Sequence, residues 1–283
     1  MPEGPTIGIV IPVYDTNGDY LDQCVASALD QTVSAPIVVV DDGSTARDTL
    51  DSLQKWEARG VRVLRHDQNR GASAALNTGT ADHGTALIAP LGSDDLLHRE
   101  FCERVSAVFA DDDAMGIVSV DLHHFGAQEL VTDAAEVDDI AELLFSNRIA
   151  GASVFRKSDW QALGGFATEL VFGEDWDFWL RILRTGRKAF TLHEVLYEYR
   201  RHDQQSIELT TGQVRLDQHL EVVRRNREIW EEHVVEIMST HWALADEYEQ
   251  TRARLTSFER RYGALNRILA AVTPRRLRTR PKR

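Results

Sequence analysis

Apolar and polar positions alternate in blocks along the first hundred residues of the chain. Short runs rich in β-branched and aliphatic residues predict buried strands. Between them, apolar residues with helical spacing predict helices. The predicted strands span 7–13, 37–40, 61–64 and 86–89, and the predicted helices 20–29, 50–56 and 72–80. This β-α alternation predicts an α/β fold with a mostly parallel central sheet and flanking helices.

The pattern is less regular after residue 95. A helix over 101–109 and strands over 117–120 and 152–155 are still predicted. Glycines and aromatic residues are frequent between 164 and 179, which favours a shaped loop that leads into a helix. We therefore expect this half of the domain to form the wall of a pocket.

From residue 216 onward, apolar residues recur at alternating steps of four and three, which is typical of a long helix with a heptad seam. Two interpretations are open: the seam pairs two chains, or the helix folds back on the preceding domain. The predicted organisation is a domain at 1–210, a helical and possible oligomerisation region at 211–273, and a basic tail at 274–283.

The composition narrows the class of function. The net charge of −13 argues against general nucleic-acid binding, which needs a basic surface. Cys24 and Cys102 fall in predicted amphipathic helices and suggest neither a disulfide nor a metal site. The first residues do not resemble a secretory leader, and no apolar run reaches the roughly 18 residues that cross a bilayer. These features predict a soluble cytoplasmic protein.

Two of the predicted strands end on paired carboxylates, Asp41 with Asp42 and Asp94 with Asp95. The carboxyl edge of a parallel sheet is where open α/β folds bind ligands. Carboxylate oxygens suit Mg²⁺ or Mn²⁺, so Asp94 and Asp95 are candidate metal ligands. The alternative is that these residues only cap the following helices.

Further polar residues suit a nucleotide site. Tyr14 follows the first strand and could lie against a base, while Asp42 could accept a hydrogen bond from base or ribose. Arg70 lies just before a predicted helix, whose N-terminus with a nearby cation is a favourable place for phosphate. Asn77 follows within that helix, where an ordinary helix-terminating role is equally open.

A third acidic cluster lies at 173–181 and carries the predicted base. A carboxylate there could remove the proton of an attacking hydroxyl, and Asp175 is the candidate. Trp176 could face a sugar ring or belong to the core, and Glu174 could cap the helix. His202 follows a predicted strand at 195–197 and could reach a diphosphate or a metal.

In this order, the segments resemble the inverting glycosyltransferases of family 2, which have the GT-A fold, a Rossmann-like α/β architecture. The resemblance covers roughly residues 7–206. Any single motif is weak, whereas the ordered set is specific. The matching segments are 11–14 (IPVY), 39–45 (VVDDGST), 69–71 (NRG), 93–95 (SDD), 164–166 (GGF), 173–181 (GEDWDFWLR) and 199–202 (YRRH).

The resemblance implies site residues and a cofactor. Asp175 would be the catalytic base, and Mg²⁺ or Mn²⁺ would be bound by Asp94, Asp95 and His202. The predicted nucleotide-binding residues are Pro12, Tyr14, Asp42, Arg70, Asn77 and Asp94, and the predicted acceptor-binding residues are Gly165, Glu174 and Trp176. The implied reaction is a single displacement at the anomeric carbon.

The chain departs from the family pattern at three positions. Gly92 stands where many members have the first acid of the D-x-D-D run, which shifts metal binding to Asp94 and Asp95. Leu76 stands where an arginine is frequent, so that Arg70 or another cation would serve the phosphates. Asp15 replaces a frequent asparagine.

The sequence thus predicts transfer of a sugar from a nucleoside diphosphate donor to a hydroxyl of a saccharide, lipid-linked or cell-envelope acceptor. One alternative is a sugar nucleotidyltransferase, which would release pyrophosphate. Another is a non-catalytic scaffold that recruits partners through the C-terminal helix. The basic tail could contact anionic lipid headgroups at the inner face of the membrane, or be a solvated terminus.

Overall fold

The computed structural model describes residues 5–202 and 212–272, with side chains in the last helix to residue 258. The predicted basic tail at 274–283 lies outside the described residues. The chain forms two compact units, Met1–Glu231 and Glu232–Arg283. The first unit therefore extends beyond the predicted division at 210/211 and includes part of the C-terminal helical region.

The helices and strands of the described residues follow the predicted alternation. The strands are β1 Ile7–Val13, β2 Ile37–Asp41, β3 Arg62–Arg65, β4 Leu87–Pro90, β5 Leu96–Leu97, β6 Met115–Gly126, β7 Leu130–Thr132, β8 Val154–Arg156 and β9 Lys188–Arg201. The helices are α1 Gly18–Leu29, α2 Arg47–Ala58, α3 Ala72–Asp82, α4 Phe101–Asp111, α5 Lys157–Leu163, α6 Glu174–Arg184, α7 Gly212–Arg225, α8 Arg227–Glu232 and α9 Val234–Val272. A short 3₁₀ helix spans Ile140–Leu143.

All strands join one sheet in the order β3-β2-β1-β4-β8-β6-β9-β5, with β7 paired to β6. The first four strands in this order are parallel to one another, as the sequence predicts. β1 and β4 are neighbours, and so are β1 and β2. The loops after β1, β2 and β4 therefore emerge at the same edge of the sheet.

The second half of the sheet, where the sequence pattern is less regular, contains both parallel and antiparallel strand pairs. β8 runs antiparallel to both β4 and β6, and β5 runs antiparallel to β9. β6 and β9 pair in parallel over most of their length, with register shifts near Val120 and Asp121. This long ribbon brings the end of β9 back to the loop after β4, where β5 pairs with it.

Close packing fixes α3 against the centre of the sheet. Ile9, Val10 and Ile11 of β1 are fully buried, so helices cover both faces of this strand. A Cβ atom at Gly79 would lie 2.4 Å from Cγ1 of Val10, so only glycine allows α3 to approach this closely. The position of α3 matters because its N-terminus contributes to the site.

The C-terminal region is helical, but it is not one helix as the sequence predicts. It is interrupted at Asn226 and again at His233, which gives α7, α8 and α9. The second unit consists of α9, whose apolar side chains such as Trp242, Leu244 and Tyr248 are more than half exposed. Among the described residues, no helix combines the length and apolar character needed to cross a bilayer.

Candidate active site

The loops after β1 and β2 are tied together by Asp15. This residue has a left-handed backbone with φ of 45°, and its carboxylate accepts hydrogen bonds from the backbone N of Thr45 at 2.6 Å and of Ala46 at 2.7 Å. These two bonds lower the pKa of Asp15. The Asp15 carboxylate therefore holds the backbone just before α2. This is a physical reason for an acid at the position where asparagine is frequent in the family.

The predicted base-contacting residues lie beside this junction. Tyr14 is half exposed at the end of β1, and Pro12 is part-buried and in register with Val40 of β2. The Thr16 hydroxyl lies 2.6 Å from the Ser93 hydroxyl, which links the loop after β1 to the loop after β4. An accessible aromatic ring therefore lies at the edge where three strand ends meet.

Asp42 organises the loop that leads into α3. It is buried, and its carboxylate accepts from the backbone N of Arg70 at 3.0 Å and of Gly71 at 2.7 Å. The ring Nδ1 of His66 lies 2.6 Å from the same carboxylate, and His66 Nε2 lies 2.9 Å from Thr78 Oγ1. Asp42 thus fixes the loop that carries Arg70, whose side chain is exposed.

His66 is a residue that the sequence interpretation missed. It lies directly after β3, at the same carboxyl edge of the sheet as Asp42 and Asp94. The rule that selected those two acids would also have selected this histidine.

Asp94 and His202 form the part of the site that suits a cation. The Nε2 atom of His202 lies 2.7 Å from Oδ2 of Asp94, and both side chains are partly exposed. A carboxylate and an imidazole are ligands that Mn²⁺ and Mg²⁺ sites use when phosphate oxygens complete the coordination. No group of three or more histidine, cysteine or acidic side chains suited to a metal occurs within the described part of the chain.

Asp95 is placed differently from its neighbour. It is buried, and its carboxylate accepts from Tyr197 Oη and from the backbone N of Arg200, each at 2.8 Å. Burial and the Asp94 carboxylate raise the pKa of Asp95. The carboxylate of Asp95 is therefore used in contacts within the protein. Of the two predicted metal ligands, Asp94 has the more accessible carboxylate.

Gly92 makes this arrangement possible. A Cβ atom at this position would lie 2.5 Å from Oδ2 of Asp95, which is shorter than any ordinary contact. The absence of an acid at position 92 is therefore coupled to the inward orientation of Asp95. This is a physical account of the first departure from the family pattern.

Arg200 holds the turn that contains both acids. Its Nε atom donates to the Asp94 carbonyl oxygen at 2.7 Å, and its Nη2 atom donates to Gln23 Oε1 at 2.9 Å. The guanidinium lies 4.2 Å from the ring centroid of Tyr20 and 4.4 Å from that of Phe125. Both contacts are within the range of cation–π attraction.

Asn77 fastens the loop before α6 to α3. Its Nδ2 atom donates to the Phe166 carbonyl, and its Oδ1 atom accepts from Phe166 N, both at 2.8 Å. Oδ1 also accepts from Trp160 Nε1, and a Cβ atom at Gly165 would lie 2.5 Å from it. The predicted nucleotide and acceptor residues Asn77 and Gly165 thus contact each other.

Asp175 lies in the first turn of α6, where the sequence predicts the base. Asn147 Nδ2 donates to its Oδ2 atom at 2.8 Å, and its own neighbour Trp176 donates a backbone N–H to Oδ1 at 2.7 Å. Burial raises the pKa of Asp175, and burial together with Asp175 raises that of Glu174. A carboxylate with a raised pKa is suited to accept a proton. Asn147 is a second residue that sequence reasoning missed.

Trp176 lies in the core. Its side chain is 3% exposed, and its Nε1 atom donates to the Leu143 carbonyl at 2.8 Å. Glu174, two residues earlier in the same turn, is partly exposed. Trp176 could face a sugar ring or belong to the core, and in the structure it packs in the core.

The described contacts fall into two groups. The first joins Asp42, Asp94 and His202 with the loops after β1, β2 and β4. The second joins Asp175 with Asn147, and Asn77 with Gly165, around the start of α6. α3 belongs to both groups, because Thr78 contacts His66 and Asn77 contacts Phe166.

Comparison with known proteins decides the family. Residues 8–148 match the family described as glycosyl transferase family 2. The chain belongs to glycosyltransferase family 2. This match contains the loops after β1, β2 and β4 with Asp42 and Asp94, whereas His202 and Asp175 lie beyond it.

A relative and two solved structures show how far the similarity extends. An uncharacterised glycosyltransferase of Haemophilus influenzae is 25% identical over 201 residues, which cover 67% of this chain and 65% of that protein. The chain therefore spans less than two thirds of that relative.

The solved structures share the fold. S. aureus TarS 1-349 in complex with UDP-GlcNAc gives a TM-score of 0.61 at 16% identity, covering 73% of this chain and 61% of that one. The mannosyltransferase PcManGT from Pyrobaculum calidifontis, in complex with GDP-Man and Mn²⁺, gives a TM-score of 0.53 at 18% identity. The matched region covers 70% of this chain and 57% of that one. The first unit thus has the GT-A fold that the sequence predicts.

Proposed function

We propose that the protein transfers a sugar from a nucleoside diphosphate sugar to a hydroxyl group, with inversion at the anomeric carbon. One observation carries the proposal: two acidic centres of different character lie in one GT-A domain. Asp94 with His202 is partly exposed at the strand ends, whereas Asp175 is held in a setting that raises its pKa. The first suits a charged donor, and the second suits proton removal.

In the proposed reaction, an acceptor hydroxyl oxygen attacks the anomeric carbon from the side opposite the diphosphate. A bond from that oxygen to carbon forms while the bond from carbon to the diphosphate oxygen breaks. Asp175 takes the hydroxyl proton, and Asn147 holds the Asp175 carboxylate in place. A single displacement of this kind inverts the configuration of the anomeric carbon.

The donor would lie at the edge formed by the loops after β1, β2 and β4. Tyr14 would face the base, with Pro12 beneath it, and Asp42 would accept from base or ribose while holding the loop that presents Arg70. Mg²⁺ or Mn²⁺, when bound by Asp94 and His202, would offset the charge of the departing diphosphate. Support for a divalent ion comes from the Mn²⁺ in the PcManGT complex.

The acceptor would approach the first turn of α6. We propose that Glu174 contacts it directly, because this side chain is partly exposed beside Asp175. Gly165 and Trp176 would shape the wall through their packing. The acceptor class remains a hydroxyl of a saccharide, lipid-linked or cell-envelope molecule.

Nucleotide-sugar screening tests the function. The protein is incubated with UDP-, GDP- and dTDP-sugars and Mn²⁺, its thermal stability is measured, and release of the nucleoside diphosphate is followed. We expect one donor class to stabilise the fold, with loss of the effect in EDTA. Pyrophosphate release from a nucleoside triphosphate and a sugar phosphate would instead indicate a nucleotidyltransferase. The absence of any nucleotide binding would favour a scaffold.

Two further properties belong to the C-terminal region. We propose that the exposed apolar residues of α9 pair two copies of the chain, which light scattering of the chain with and without residues 233–283 would test. We also propose that the tail at 274–283, which lies outside the described residues, contacts anionic lipids. Equal sedimentation with phosphatidylserine vesicles of the full chain and a chain truncated after 273 would contradict that role.

A further inference from the structure

α7 and α8, called here the brace helices, pack against the loop and turn that carry Asp175. The Val171 backbone N donates to Gln218 Oε1 of α7 at 2.9 Å. Val222 of α7 is fully buried, and a Cβ atom at Gly173 would lie 3.4 Å from its Cγ2 atom. The residues just before α6 therefore rest directly on α7.

Asp177 joins the brace helices to α6 from the other side of Asp175. This side chain has no exposed surface, and its carboxylate accepts from Arg225 Nε at 3.1 Å and from Asn226 Nδ2 at 2.8 Å. Arg181 of α6 itself donates at 2.8 Å. The interruption of the helix at Asn226 places this amide against the buried carboxylate.

Trp176, which lies between Val171 and Asp177 in the sequence, makes aromatic contacts with the brace helices. The Trp176 ring centroid is 4.3 Å from that of His219 in α7 and 6.0 Å from that of Trp230 in α8. Residues 171, 173, 176 and 177 thus all contact the brace helices, and Asp175 lies among them. Contacts on both sides of a residue restrict its backbone more than contacts on one side.

The N-cap residue gives the start of α6 no side-chain support. Gly173 has a left-handed φ of 82° and makes no capping hydrogen bond. Within the turn, the Asp175 carboxylate accepts from Trp176 N, but the other orphan N–H groups of a helix start are left without an N-cap side chain. The orientation of this turn therefore depends on the surrounding elements.

We infer that the brace helices position the proposed base, and that Gln218, His219 and Asn226 are positioning residues for the transfer reaction. This inference rests on the proposed function, because it takes Asp175 as the base. The brace contacts described above involve none of the residues proposed to contact the donor at the ends of β1, β2 and β4. Loosening the brace should therefore reduce turnover and leave nucleotide affinity unchanged.

A matched pair of variants at Gln218 tests the polar contact in the full-length chain. Gln218→Leu removes the acceptor for Val171 N, whereas Gln218→Glu keeps an acceptor oxygen. Asn226→Leu removes the donor to Asp177. Arg224→Ala is the control, because Arg224 is exposed on α7 and pairs with Glu221 of the same helix.

Turnover is followed as release of UDP from UDP-GlcNAc or of GDP from GDP-mannose, and affinity as calorimetric binding of UDP and GDP. We expect kcat to fall about 10- to 100-fold in Gln218→Leu and Asn226→Leu, with recovery in Gln218→Glu. Nucleotide affinity should stay within twofold of the parent. Equal kcat in the Leu variants and the Arg224→Ala control would overturn the inference.

Hydrogen exchange separates this inference from the proposed function. Exchange of the amides at 171–177 should accelerate in Gln218→Leu and Asn226→Leu, and not in Arg224→Ala. Unchanged exchange in the Leu variants overturns the brace, whether or not the protein turns over either donor. Unchanged turnover in Asp175→Asn instead overturns the assignment of the base.

Discussion

The two halves of the first unit build their parts of the site in different ways. In the parallel half, Asp42 and Asp94 lie where buried strands end, so the local sequence determines their place. In the mixed half, Asp175 lies at a helix start whose orientation depends on residues far along the chain. The proposed donor site is thus positioned by strand ends, and the proposed acceptor site by long-range packing. Variants in the two halves should accordingly fail in different steps.

Asp175→Asn is expected to give the largest difference between the loss of turnover and the loss of donor binding. Asparagine keeps the shape but has a single acceptor oxygen, so it retains only one of the hydrogen bonds from Asn147 and Trp176 N, and it cannot take a proton. We expect turnover to fall by about 10²- to 10⁴-fold, while calorimetric binding of the donor stays unchanged. Loss of donor binding in parallel with turnover would remove the distinction between the halves.

Asp94→Ala tests the donor half. It removes the carboxylate that lies against His202 and should weaken Mn²⁺-dependent nucleotide binding by about 10- to 100-fold. Calorimetry with and without EDTA measures this, and the difference between the two conditions should shrink in the variant. Affinity equal to that of the parent in both conditions would argue against Asp94 as the donor-side acid.

The pH dependence of turnover probes the acceptor half. Burial raises the pKa of Asp175, so the carboxylate is protonated and inactive until the pH passes this raised value. The acidic limb of kcat should lie above the ordinary aspartate value of 3.8. Burial and the Asp175 charge raise the pKa of Glu174 in the same turn to about 8, so Asp175 loses its proton first and Glu174→Gln should leave the limb in place. Asn147→Leu should move the limb upward, because a bond to the charged form of Asp175 is lost. A limb in Asn147→Leu that is unchanged from the parent would contradict Asp175 as the base.

The smallest effect is expected from Asp15→Asn. The amide can still accept from Thr45 N, but the negative charge near the start of α2 is lost. We expect the fold to lose about 0.3–1 kcal/mol at neutral pH. Because the folded protein lowers the pKa of Asp15, this stability is present above the unfolded value and disappears as the pH falls through the folded one. Chemical denaturation at pH 7 and at pH 3 checks both statements, and an equal difference at the two pH values would contradict the charge effect.

Sequence reasoning was most successful where the signal is local. Strand ends predicted that Asp42 and Asp94 lie at one edge of the sheet, and the family and fold expected from the ordered motifs are confirmed. It could not identify the partners of these residues. Tyr197 and Asp95 are 102 positions apart, and Asn77 and Phe166 are 89 apart, so no local pattern connects them.

The C-terminal helices show the same limit. Heptad spacing continues through residue 226, and it predicts one helix. At the interruption, the Asn226 amide donates to a buried carboxylate on α6, a contact that only the folded chain creates. α7 and most of α8 belong to the first unit, and the proposed role in association is left to α9.

Gly92 and Asp95 share one small space, so a side chain at 92 requires the Asp95 carboxyl group to move. An aspartate introduced at 92 would displace this carboxyl group from Tyr197, and the benefit of a second accessible acid would come with loss of that internal bond. Family members with the full D-x-D-D run are therefore expected to hold the last acid of the run away from the residue at 197.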